Sequence, residues 1–90
     1  MIKVTILELF SIYQNTVNNH AHEWGIPLQT RKRSNWLETN FKGGHTIELS
    51  QTKNNDDTPV FSLTVVKRTD NKHYLISQTV YLLLDSKHYV

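Results

Sequence analysis

The sequence predicts an α+β domain: one long N-terminal amphipathic helix packed on a four-stranded antiparallel sheet, in the order α-β-β-β-β. Three observations carry this reading. Apolar residues recur at helical spacing from residue 5 to 24. From residue 36 onward the period changes to two. Clusters of Gly, Pro, Asn and Asp fall between the period-two runs, where turns belong. The span 1-90 reads as a single domain, with a helix at 5-24, a basic connector at 25-35 and a β-meander at 36-86.

The helix has marked ends. Ile6, Leu9, Phe10, Tyr13, Val17, Ala21 and Trp24 share one face; Glu8, Ser11, Asn15, Asn18, Asn19 and His22 occupy the other. Thr5 and Glu8 have capping-box spacing, with Val4 and Leu9 placed as a hydrophobic staple. At the far end Gly25 suits a C′ position, Ile26 is placed to pack back on the last turn, and Pro27 forbids continuation. Such a helix is roughly 28 Å long, and strands of about seven residues span roughly 23 Å, so helix and sheet match.

The connector "LQTRKRSN" has no clear period and leaves room for a short edge strand. In "WLETNFK" one face is Leu37, Thr39 and Phe41, and the other Trp36, Glu38, Asn40 and Lys42. "HTIELSQ" puts Ile47 and Leu49 on its apolar face, and Lys42-Gly43-Gly44 joins the two strands as a tight hairpin. "KNNDDTP" is a polar loop in which Asp56-Asp57 reads as a solvated tip. "VFSLTVVKR" turns Phe61, Leu63 and Val65 inward, and Asp70-Asn71-Lys72 is the next turn. "HYLISQTVYLLLD" is apolar on both faces; β-branched and aromatic residues favour a strand, with a helix over 74-84 as the alternative. In a simple meander this last strand is an edge, yet "VYLLL" is too apolar for a solvated one. Either the segment 28 to 34 or a second subunit would then pair with it. Trp36 is placed on the sheet face away from the helix, with Tyr81 a candidate to join it there.

Composition excludes several function classes. With no cysteine there are neither disulfides nor thiolate metal sites, which fits a reducing compartment. No run approaches the roughly 18 apolar residues of a membrane span. Glu8, Gln14 and Asn15 interrupt the apolar start, so the chain reads as cytoplasmic rather than carrying a signal peptide. A net charge of +2 is too small for an obvious nucleic-acid footprint. No phosphate-binding glycine loop, nucleophile elbow or HExxH spacing is present. His20 and His22 lie two apart on a helix, about 200° from one another, and cannot share an ion. No metal and no cofactor is expected.

Two constellations remain. "KGGHTI", residues 42 to 47, resembles the "KGSHHI"-type stretch of the HicA toxins, small mRNA interferases of α-β-β-β-α fold paired with HicB antitoxins. That resemblance implies His45 as catalytic base and Lys42 as a phosphate contact. The residues themselves read more simply: two glycines supply positive φ in a hairpin, and His45 opens the returning strand. The other constellation is "TRKRSNWLETNFK". Arg31, Lys32 and Arg33 lead into Trp36, with Asn40 and Lys42 beyond, and cations beside an outward aromatic suit a protein hot spot or single-stranded nucleic acid.

The expectation is therefore a small non-enzymatic binding module, a protein-protein interaction or inhibitor protein of the size phage and plasmids encode. It would dock a macromolecular partner, protein rather than nucleic acid, through Arg31, Lys32, Arg33, Trp36, Asn40 and Lys42. RNA binding or cleavage through His45 is the alternative. Homodimerisation through strand 74-84 is a further possibility.

Overall fold

A computed structural model of the chain describes residues 2–33, 36–53 and 58–84. The elements run β1 (Ile2–Val4), α1 (Ile6–Trp24), β2 (Gln29–Arg33), β3 (Trp36–Asn40), β4 (His45–Lys53), β5 (Pro59–Arg68) and β6 (His73–Leu83). The five later strands are successive antiparallel neighbours, and β1 adds parallel to β6, giving one six-stranded mixed sheet in the order β1-β6-β5-β4-β3-β2. The expected four-stranded antiparallel sheet is thus corrected: the helix is preceded by a strand, and the basic connector contains another.

Both additions have physical causes. β1 pairs Ile2, Lys3 and Val4 with Tyr81, Leu82 and Leu83, and the Leu84 N–H continues the ladder to the Val4 carbonyl at 2.8 Å. The apolar end of β6 is covered in this way by the chain's own first residues, and neither residues 28 to 34 nor a second subunit is needed there. β2 pairs with β3 because the C′ Gly25 and Pro27 turn the chain back alongside it, and the Leu28 N–H reaches the Asn40 carbonyl at 2.8 Å. Residues 73–83 are a strand, not a helix. Asp56-Asp57 and the segment 85–86 lie outside the described residues.

The helix entrance forms as its sequence specifies. The Thr5 hydroxyl accepts from the Glu8 N–H at 3.2 Å, and the Glu8 carboxylate accepts from the Thr5 N–H at 2.9 Å. At the exit Gly25 takes φ 82° and donates its N–H to the Ala21 carbonyl. Ile26 does not pack back; it is 86% exposed. Leu9, Tyr13 and Val17 are buried against the sheet, whose covered face carries Phe41, Ile47, Leu49, Phe61, Leu63, Val65, Tyr81 and Leu83. Tyr81 is therefore a core residue on the helix side, opposite Phe61 in register, and not on the far face. A β-bulge between Val65 and Val66 shifts the β5–β6 register by one residue, and on the His73 side of it Tyr74, Leu75 and Ile76 are exposed. No helix among the described residues is long and apolar enough to cross a membrane.

Candidate functional site

The β3–β4 hairpin decides where His45 points. The Phe41 N–H donates to the His45 carbonyl at 2.8 Å, and the Gly44 N–H donates to the Phe41 carbonyl. Gly43 and Gly44 take φ of 91° and 95°. The Gly44 carbonyl also ties the turn to β5, accepting from the Arg68 N–H at 2.8 Å, and a Cβ there would collide with the Arg68 carbonyl. The hairpin tip is thus pinned to the end of β5. His45 then faces the helix, on the same side as Ile47 and Leu49, and stacks on Trp24 with ring centroids 4.1 Å apart.

His20 covers the opposite face of the same indole at 4.0 Å, and Phe41 meets its edge at 5.3 Å. The result is a four-ring assembly with Trp24 between two imidazoles. Burial holds the His45 imidazole below the usual histidine range, helped by the Lys67 and His20 charges and opposed by Glu23. A stacked ring of this kind closes the base of the helix onto the hairpin. The α-β-β-β-α order of the toxins that "KGGHTI" resembles is not the order found among the described residues. No group of three His, Asp or Glu side chains able to hold a metal ion occurs among the described residues.

The basic and aromatic residues sort onto β2 and β3 by register. Arg31 lies opposite Glu38 and Gln29 opposite Asn40, both on the face away from the helix; Lys32 lies opposite Leu37 on the helix side, and Arg33 pairs with Trp36 in the ladder. Arg31 and Lys32 are exposed, Trp36 and Asn40 half-buried, and Lys42 is exposed in the hairpin turn. The structure thus brings Arg31, Trp36 and Asn40 to one face and leaves Lys32 on the other. Lys42 stands off the end of the strands.

Asn40 is not a free contact. Its amide donates to Glu38 at 3.3 Å and accepts from Thr46 at 3.0 Å. Glu38, only 4% exposed, faces Glu48 directly across the β3–β4 ladder. Arg68 reaches back between them, pairing with Glu48 and lying 3.5 Å from Glu38. Two adjacent carboxylates repel unless a cation bridges them, so this triad is a structural clamp across β3, β4 and β5. Sequence reasoning missed it because Arg68 is twenty residues from Glu48 and its role depends on side-chain reach alone.

A cleft of about 390 Å³ opens between α1 and the β2–β3 edge. At its floor the Tyr13 phenol and Thr39 hydroxyl are 2.5 Å apart, and Thr30 joins them at 3.1 Å from Thr39. Phe10, Pro27 and Leu37 form apolar walls, with Gln14 and Asn18 at the helix rim. Burial is the main cause that pushes the Tyr13 phenol above its ordinary value, so it remains a neutral donor. Phe10 read as a core residue in sequence, yet it is 46% exposed. The signal for the cleft was its place at the border of the apolar stripe, beside Gln14 and Asn18. Comparison with family models, curated proteins and solved structures finds no match to this chain.

Proposed function

We propose that the protein is a small non-enzymatic binding module, of the kind an inhibitor protein uses, which docks a protein partner along the β2 edge of its sheet. The observation that carries this is the character of that edge. β2 is the terminal strand, its sequence is Gln-Thr-Arg-Lys-Arg, and its Arg31 and Lys32 are exposed. Edge strands offer unpaired N–H and C=O groups to any extended segment, and cations decide which segments are accepted. Trp36, next to Arg33 in register, supplies an aromatic contact on the same margin.

The test is affinity capture from a host lysate with and without nuclease. A protein that survives nuclease, is lost with the double variant Arg31→Glu/Lys32→Glu, and is retained with Ile76→Lys on the opposite edge supports the reading. Captured RNA or DNA that disappears with nuclease, or capture indifferent to the charge reversal, would overturn it.

A further inference from the structure

We propose that the ligand of this edge is an extended acidic peptide segment, added to β2 as a further strand, with alternate apolar side chains seated in the cleft beneath α1. The inference rests on the reading of β2 as the docking edge and names the chemistry of its occupant.

Backbone direction comes first. In an antiparallel ladder, hydrogen-bonded pairs alternate with non-bonded pairs, so successive residues turn their N–H and C=O to opposite sides. Phe41 is bonded to His45, which turns Phe41, Thr39 and Leu37 toward β4 and Asn40, Glu38 and Trp36 toward β2. Their register partners Gln29, Arg31 and Arg33 then face β3. The N–H and C=O of Thr30 and Lys32 point outward, where no strand of the described residues lies. An added strand would bond to these two residues.

Side-chain placement follows. Residues of the added strand opposite Thr30 and Lys32 share their face, which is the helix side, and so lie over the cleft. There they meet Phe10, Leu37 and Pro27, an apolar lining that a strand residue such as Val or Leu would cover. Residues opposite Arg31 fall on the other face, beside its exposed guanidinium. Arg68 already serves the nearby carboxylates of Glu38 and Glu48, so Arg31 and Lys32 present positive charge to an arriving chain.

Charge selects the occupant. A second copy pairing β2 with β2 sets Arg31 and Lys32 against themselves, and the other free edge, on β6, has no carboxylate between His73 and Leu83 to answer them. A nucleic acid satisfies the cations but donates nothing shaped for two outward carbonyls in a strand. An acidic, extended peptide satisfies both.

The test titrates the ¹⁵N-labelled protein with a decapeptide alternating Val and Glu, alongside a Val/Lys version and a peptide with the same residues in two blocks. The expected result is shift changes confined to Gln29–Arg33 and the cleft residues Phe10 and Ala21, with slowed exchange of the Thr30 and Lys32 amides. Binding of the Val/Lys and block peptides should be at least about tenfold weaker. Lys32→Pro, which removes an outward N–H but no bond of the sheet itself, should abolish binding; Lys32→Ala should only weaken it. No shifts at millimolar peptide, equal binding of the Val/Lys or block peptide, or shifts mapping to β6 would each overturn the assignment. Failure of the peptide alongside partner capture that still depends on Arg31 and Lys32 removes the ligand class and leaves the docking edge standing. Failure of both removes the edge as well.

Discussion

Gly44 and Arg68 are in backbone contact: the Gly44 carbonyl accepts from the Arg68 N–H, and the Arg68 carbonyl occupies the space a Gly44 Cβ would need. Neighbouring Gly43 shares the positive φ but has open space around it. Gly44→Ala should therefore destabilise the fold by about 2–4 kcal/mol, adding backbone displacement to φ strain. Gly43→Ala should cost about 1 kcal/mol, the strain alone. Urea unfolding of the two variants checks the difference; equal losses would mean that the hairpin tip is not held by β5.

The Arg68 clamp makes a second prediction. Arg68→Met leaves Glu38 buried beside Glu48 without the guanidinium that bridges the two, and should cost about 1–3 kcal/mol, the lower end reflecting the partly exposed guanidinium. Adding Glu38→Gln to that variant should recover part of the loss. A double-mutant cycle with no coupling between positions 38 and 68 would show that the two do not act together.

The imidazole stack predicts pH dependence of definite sign. The His45 value is depressed in the fold by burial first, then by Lys67 and His20. Its contribution is fully present above the unfolded histidine value of about 6.5 and is lost as pH falls through the folded value. Stability should drop on acidification below neutrality more steeply in the parent protein than in His45→Phe, which keeps a ring on Trp24 without a proton to bind. Parallel stability curves from pH 7.5 down to 5 would refute this.

Tyr13 ties the helix to two strands, through Thr39 on β3 and the Ile47 carbonyl on β4. Tyr13→Phe should cost about 1 kcal/mol, since Thr39 keeps Thr30 as a partner. The raised phenol value adds a sign: its stabilisation is complete below the unfolded value of about 10 and fades as pH rises through the folded value. Alkaline unfolding of Tyr13→Phe should lack this component, which urea midpoints between pH 9 and 11 would show.

The β6 edge should make the protein self-associate at high concentration. β1 pairs only with Tyr81–Leu83, and ahead of that stretch Tyr74, Leu75 and Ile76 are 49%, 63% and 49% exposed on a strand without Lys, Asp or Glu. Natural sheets guard such edges with charge, as β2 does here. Sedimentation velocity should show association rising with concentration and its suppression by Ile76→Lys. A parent protein that stays monomeric at the highest soluble concentration would count against a dimer through this strand.

Local chemistry was legible in the sequence wherever neighbours in the chain create it. Thr5 and Glu8 cap the helix because they are three residues apart, and Gly43-Gly44 make the hairpin because the turn needs positive φ. The alternation in "WLETNFK" placed Leu37, Thr39 and Phe41 toward the helix by periodicity alone, which is the arrangement the register shows. By contrast, β1 is three residues long and β2 is mostly charged, so neither has an apolar period to read.

What only the tertiary structure decided were the pairings between distant parts of the chain. Ile2 to Val4 cap the apolar end of β6, Trp24 draws His20 and His45 onto its two faces, and Arg68 spans Glu38 and Glu48. Each is a non-local contact, set by which edge or face was left uncovered once helix and sheet had packed. The sequence by itself determined one capped helix, a glycine hairpin and the inward faces of the strands, because those follow from spacing and turn chemistry. The sixth-strand closure, the cleft and the charged β2 edge arise only when that helix lies on that sheet, since burial and edge exposure are properties of the assembled layers.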